Sequence, residues 1–408
     1  MTPKLRKPKA GHRGNISRAL GVAVGVIVLF MDIAVQAEER RNANFGSPEA
    51  VENRIAEDRR GREKPLDERL GEKGISIAAD YSAVGLNADE VLPGSDDTAS
   101  GGMFRFYGSW QATESGSLIW KAEHRHSYSD TTVKDFEFGA GGLGLVTPPF
   151  SDEGTRLTNF YWKQYFNNGR GTLIAGFLDA TDYFDVYALA SPWTGFLNFA
   201  FSTGTTTTAL PGDATLGVAA ASMLSDNFFV IGGVTDMESD PTDPLEGFNT
   251  LFDESNLFKS IEFGWTTAQE NIFVDNVHLA FWHADESAAQ GTTEGQGINF
   301  SASRLLGPWL PFIRGGFSED AGTLTETSIS AGFAYYGLGR ETNNLGMAVN
   351  FADIDGSSDD QITFETFYFM KLGKYLELTP DIQFIKNPAL NPDEDLITIL
   401  GLRARLVW

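Results

Sequence analysis

Apolar and polar positions alternate along the chain from residue 74 to the C-terminus. Phe104, Phe106, Gly108 and Trp110 share one face, and Met103, Arg105, Tyr107, Ser109 and Gln111 the other. Further on, Leu376, Leu378, Pro380, Ile382 and Phe384 oppose Glu377, Thr379, Asp381 and Gln383. In the last segment Leu400, Leu402, Ala404, Leu406 and Trp408 oppose Arg403, Arg405 and Val407. A period of two puts successive side chains on opposite faces of a strand, so each segment divides two environments. The pattern predicts strands over 75–85, 102–113, 117–128, 155–166, 171–180, 214–223, 227–236, 258–267, 273–284, 295–304, 309–317, 326–336, 343–352, 361–371, 374–386 and 395–408.

The connections alternate as well. Glu114-Ser115-Gly116, Asn167-Asn168-Gly169-Arg170, Leu224-Ser225-Asp226 and Leu372-Gly373 are tight links. Between them lie longer segments at 86–101, 129–154, 181–213 and 237–257. This gathers the long loops at one end of an all-β, membrane-spanning, antiparallel up-and-down barrel of about sixteen strands. A bilayer leaves no water for an open sheet edge, so such a sheet must close. Aromatic residues near strand ends (Tyr81, Tyr107, Trp120, Trp162, Trp282, Tyr335, Tyr368) are expected to form interfacial girdles. A soluble sandwich or propeller is the competing fold. The final strand argues against it, because its apolar alternation ends on Trp408, like the terminal signal of outer-membrane barrels.

The first 37 residues have the layout of a secretory signal. Lys4, Arg6, Lys7, Lys9, Arg13 and Arg18 precede the apolar run 19–30, and Val35-Gln36-Ala37 fits a cleavage site. Residues 38–73 carry dense mixed charge, as in Glu57-Asp58-Arg59-Arg60, and predict a periplasmic segment that is helical or disordered. From Gly74 onward there are 16 Lys+Arg against 44 Asp+Glu, a net of -28. That charge excludes nucleic acid as a partner. With no cysteine there are no disulfides, thiolate metal sites or cysteine nucleophiles. No zincin, nucleophile-elbow or complete phosphate-loop motif is present, so no enzyme and no cofactor is expected.

The segment Glu365-Thr366-Phe367-Tyr368, with 378–385, Asn387-Pro388 and Gly401-Leu402-Arg403, resembles the C-terminal signature of carbohydrate-selective porins of the OprB family. Residues 69–75, Gly176-Phe177-Leu178-Asp179 and Phe196-Leu197-Asn198 resemble other parts of that family. Where members usually carry a basic residue, Phe177 and Phe369 stand here. The resemblance implies an outer-membrane pore for passive diffusion of small hydrophilic solutes, sugars among them, set in lipid and lipopolysaccharide and compatible with a homo-oligomer. A general or cation-preferring porin is the alternative that the charge favours, and a structural or adhesive barrel is another.

Phase places Arg105, Lys121, Glu123, Arg125, Glu365, Asp381, Gln383, Arg403 and Arg405 opposite the lipid-facing residues. They are the pore-lining candidates, since mixed charges and amides hydrogen-bond sugar hydroxyls. Loop 181–213 carries Tyr183, Phe184, Tyr187, Trp193 and Phe196 and is the candidate constriction. Its aromatics either stack on sugar faces or pack as a plug. The glycine-rich loop 129–154 reads as flexible. The acid-dense turn 353–360 and the pair His124 and His126 read as solvated turn and rim residues, with Ca²⁺ or a shared metal as the sharper alternatives.

Overall fold

Sixteen antiparallel strands close into one barrel, each paired with its neighbours in the chain and the first with the last. The computed structural model describes residues 45, 47–58, 70–202, 204, 206–354 and 359–408. The strands are β1 (Ile75–Ala88), β2 (Thr98–Gln111), β3 (Gly116–Ser127), β4 (Gly154–Phe166), β5 (Gly171–Leu178), β6 (Thr215–Met223), β7 (Phe228–Asp236), β8 (Leu257–Thr266), β9 (Asn276–Ala284), β10 (Gly295–Ser303), β11 (Trp309–Glu319), β12 (Thr327–Tyr336), β13 (Asn344–Asp353), β14 (Gln361–Leu372), β15 (Leu376–Lys386) and β16 (Leu396–Val407). Every predicted strand is present. Closure pairs Ala83 of β1 with Ala404 of β16. Beyond that ladder the Trp408 amide donates to the Ala79 carbonyl at 2.8 Å. No backbone edge is left for the bilayer to desolvate. No helix among the described residues is long and apolar enough to cross a membrane.

The alternation sorts the wall as expected. Phe104, Phe106, Trp110, Phe384, Leu400, Leu402 and Leu406 are exposed on the outside, while Arg105, Gln383, Arg403 and Arg405 are buried inside. Two girdle assignments are corrected. Tyr107 points inward and its hydroxyl donates to Asp80 at 3.2 Å. Trp282 also points inward, stacked with Phe258 at 6.4 Å. Aromatic character near a strand end does not say which face a residue takes; the phase does. Tyr81, Trp120, Trp162, Tyr335 and Tyr368 stand on the outer face.

The loop asymmetry is strong in the first half, where 128–153, 179–214 and 237–256 face the tight turns 112–115, 167–170 and 224–227. It fades in the second, where 267–275 and 337–343 are nearly as long as their counterparts. The first half supplies the material that fills the lumen. Strand β5 is the short one, ending at Leu178, and Gly176 marks the bend with φ 137°. A Cβ there would lie 2.6 Å from the Phe160 carbonyl oxygen, so only glycine fits. Past it the chain turns into the barrel.

Helix α1 (Val51–Asp58) lies against the inner wall of β1, β2 and β3. Residues 1–37, with the signal pattern, and 59–69 are outside the described residues, as is part of the acid-dense turn 353–360. His124 and His126 stack on the outer face with ring centroids 5.5 Å apart, bonded to Thr155 and Tyr81 respectively.

Candidate functional site

Loop 179–214 crosses the lumen and is fastened to the wall opposite β2–β4. Its hub is Asp185, with φ 49°. The Asp185 carboxylate accepts from Arg314 Nη2 at 2.5 Å, from the Gly204 amide at 2.9 Å and from Asn299 Nδ2 at 3.2 Å, with His278 Nε2 at 2.8 Å. Its own amide donates to Glu262 at 2.9 Å. Burial alone raises the Asp185 pKa, but Arg314 and His278 outweigh it and hold the carboxyl below the usual range. Further along, Glu365 accepts from the Leu197 and Asn198 amides at 2.6 and 3.0 Å, and Arg403 donates to the Pro192 and Gly195 carbonyls. Each link satisfies a group that the loop would otherwise bury unpaired.

The aromatics of the loop follow the same division. Tyr187 packs on Phe312 and under the Arg314 guanidinium, 4.0 Å from the ring centroid. Phe196 meets Phe201, Phe312 and Phe367, and Phe184 meets Phe258 edge-on at 5.6 Å. These residues and Tyr183 face the wall, not open space. Trp193 is the one of the five that borders the cavity, with the Arg105 guanidinium 4.1 Å from its ring centroid.

Loop 128–153 also folds inward, which corrects the reading of it as flexible. Val133, Phe136, Ala140, Leu145 and Val146 pack with Ile385, Ile397 and Ile399 of the wall. Gln361 brackets Leu143, accepting from its amide at 3.0 Å and donating to its carbonyl at 2.9 Å, while Gln383 donates to the Leu145 carbonyl at 3.0 Å. The glycines that suggested freedom permit close packing: Gly144 donates to the Glu137 carboxylate at 2.6 Å. Burial pushes Glu137 up to about 7 despite that bond.

Between the loops and β2–β4 lies a cavity of about 1040 Å³. One side carries Arg105, Lys121, Arg125 and Arg156. Facing and between them stand Glu123, Glu153, Asp179 and Asp213. Arg125 Nη2 lies 2.7 Å from both Glu123 and Asp213, and Arg156 Nη2 lies 3.2 Å from Asp213. Lys121 Nζ is 3.6 Å from Asp179. Burial raises Asp213, but Arg125 and Arg156 bring it below its ordinary value. Burial and then the neighbouring Asp182 carboxylate push Asp179 up to about 7. Ser47, Pro48 and Glu49 form part of the floor. Burial raises Glu49, but Arg54 and Arg105 hold it below its ordinary value.

Of the pore-lining candidates, Arg105, Lys121, Glu123 and Arg125 border this cavity. Glu365, Gln383 and Arg403 lie beneath the loops, holding them. Asp381 is 3.4 Å from Gln383 and takes part in the same buried group. Arg405 binds Asp80 at 2.6 Å and Glu377 at 2.9 Å. Sequence reasoning did not find Arg156, Asp179, Asp213 or Glu49. Arg156 was hidden by a register shift where Lys121 and Ala122 meet β4. There the inward phase passes from Arg156 and Thr158 to Asn159, Tyr161 and Lys163. The two aspartates flank the long loop and carry no periodic signal. Among the described residues one group of metal-ligating type occurs, His283, Asp285 and Glu294, none of them in the cavity lining, and Lys259 already binds Asp285 at 3.0 Å.

Comparison with known proteins adds the family. Residues 121–407 match the family model described as carbohydrate-selective porin, OprB family. The high-pH structure of Pseudomonas putida OprB is similar at a TM-score of 0.68 and 14% identity, covering 84% of this chain and 96% of that one. Its low-pH structure is similar at a TM-score of 0.50 and 10% identity, covering 84% and 95%. A triple mutant of Rhodopseudomonas blastica porin gives 0.50 and 12% identity, covering 82% and 100%. No curated protein matches the chain.

Proposed function

Because the chain belongs to the carbohydrate-selective porins of the OprB family, we propose that the cavity between the β2–β4 wall and loop 179–214 is where its pore selects neutral sugars. The protein is an outer-membrane channel and not an enzyme; small hydrophilic solutes cross it by passive diffusion. One observation carries the sugar reading. Five cations, Arg105, Lys121, Arg125, Lys134 and Arg156, are interleaved with seven carboxyl groups, Glu49, Glu123, Glu137, Glu153, Asp179, Asp213 and Asp240, in one cavity. Donors and acceptors set side by side engage both functions of a hydroxyl, while the cations offset most of the acidic charge. Trp193 adds an apolar face beside them.

The charge of -28 favours a cation-preferring pore as the second reading. Many of those acids stand away from the cavity, exposed on the long-loop rim at Asp89, Glu90, Asp96, Asp97, Asp253 and Glu286. In that position they suit lipopolysaccharide phosphates bridged by divalent cations. Export through a cleaved signal at residues 1–37 brings the chain to that membrane.

Liposome swelling tests the proposal. Glucose and maltose are expected to enter faster than a charged solute of equal size, and Arg125→Gln is expected to slow the sugars. Equal rates for all solutes of one size would leave a general porin.

A further inference from the structure

The segment before the barrel ends up inside it. Ser47 donates its amide to the Asp182 carbonyl at 2.6 Å and its hydroxyl to the Asp182 carboxylate at 3.2 Å. Glu49 accepts from Arg105 Nη1 at 2.9 Å and from the Ser191 hydroxyl, with Arg54 at 3.6 Å. Glu52 pairs with Lys163. Val51 is fully buried, packed in one cluster with Ala78, Tyr107, Ile119 and Tyr161 from four successive strands.

These contacts fix the level. Ala78, Ile119 and Lys163 each lie three residues from the short-turn end of their strands, which begin at Ile75 and Gly116 and end at Phe166. Arg105 lies deeper, beside Asp80. The segment therefore reaches from mid-barrel, where Ser47, Pro48 and Glu49 form the cavity floor, toward the periplasmic mouth. It stands between the β1–β3 wall and loop 179–214, which it touches at Asp182 and Ser191.

We infer that residues Ser47–Arg54 are a constriction element inside the pore, and that Glu49 and Glu52 are specificity-determining residues that set its ion preference. This deepens the porin reading and rests on it. Apolar anchoring by Val51 keeps the segment seated, and the two carboxylates meet cations of the wall. Glu52 offsets Lys163, and Glu49 adds a second acid to Arg105, which already has Asp80. With both acids gone, the narrow part of the path is two charges more positive, and anions enter it more readily.

Three variants of the full mature chain test this. Deleting residues 45–58 is expected to raise single-channel conductance at least about twofold, because cross-section limits an aqueous channel. The double substitution E49Q/E52Q is expected to shift the reversal potential in a KCl gradient toward anion preference. The third variant does not depend on conduction or on tolerance of the deletion. The chain has no cysteine, so E52C/K163C provides its only two thiols. A short bis-maleimide is expected to link them in isolated outer membranes and give the compact gel form of an internal loop. Unlinked thiols, or a deletion that leaves both conductance and reversal potential at wild-type values, would overturn the inference. A non-conducting wild type with linked thiols would sink the porin reading and leave the segment where it is placed here.

Discussion

Arg314 Nη2 reaches the Asp185 carboxylate at 2.5 Å, joining β11 to a loop that lies 129 residues earlier in the chain. Both side chains are fully buried. The carboxylate of this buried pair is further met by His278, Asn299 and the Gly204 amide, which offsets its desolvation. Asp185→Asn is expected to cost about 3–5 kcal/mol of loop docking, the range for removing one partner of such a pair. Single-channel records should then show larger, noisier openings, and hydrogen exchange should speed up across 183–201. The pH dependence has a definite sign. Asp185 is held below its ordinary value near ~4, so the anchor is complete above that pH and is lost as pH falls through the lowered value.

A second prediction concerns Asp179. Its carboxyl, raised to about 7, carries its charge at pH 8 and loses much of it at pH 6. It borders the cavity, so cation preference should fall as pH drops through 7, measured as reversal potential in a KCl gradient. Asp179→Asn should show the low-pH value throughout. A pH-independent wild type would contradict the assignment.

Trp193 gives a third. Trp193→Ala removes the apolar face and the stacked partner of Arg105. Maltose block of the current should weaken about threefold to tenfold, the effect of losing roughly 0.7–1.4 kcal/mol of ring contact. Tyr187→Phe serves as the control. Its hydroxyl donates to the Phe201 carbonyl at 2.6 Å, and neither residue lines the cavity, so it should alter loop stability more than sugar affinity.

Gly316 gives a fourth. A Cβ at this inward position of β11 would overlap the Thr207 side chain of the loop. Gly316→Val should therefore displace the loop while leaving the strand intact. Conductance should rise with no change in the heat-modifiable mobility of the folded barrel.

These residues show what the sequence makes legible. The barrel was readable because each strand carries its own evidence: Phe104, Arg105 and Phe106 declare two faces with no knowledge of their neighbours. Arg105, Lys121, Glu123 and Arg125 could be placed in the lumen by phase alone. Which of the inward residues stay open to solutes could not be read this way. Glu365 and Arg403 have the same phase as Arg105, yet the loop covers them, and that depends on contacts such as Glu365 with Leu197, 168 residues away. Arg156 was lost to a bulge that reverses the phase within one strand. Glu49 and Glu52 sit in a charged stretch with no periodic signal, where only a partner such as Lys163 gives them meaning. Composition overstated the acidity of the path for a related reason: a net of -28 describes the whole body, whereas the cavity sets five cations among seven carboxyl groups.

The central claim is that a water-filled path runs between the Arg105–Arg156 wall and the docked loop and engages sugar hydroxyls there. Single-channel recording in a planar bilayer with titrated maltose tests it most directly. The account predicts an ion current that falls in a saturable manner as maltose is added. A current that keeps its full amplitude at every maltose concentration, with strong cation selectivity, would contradict it.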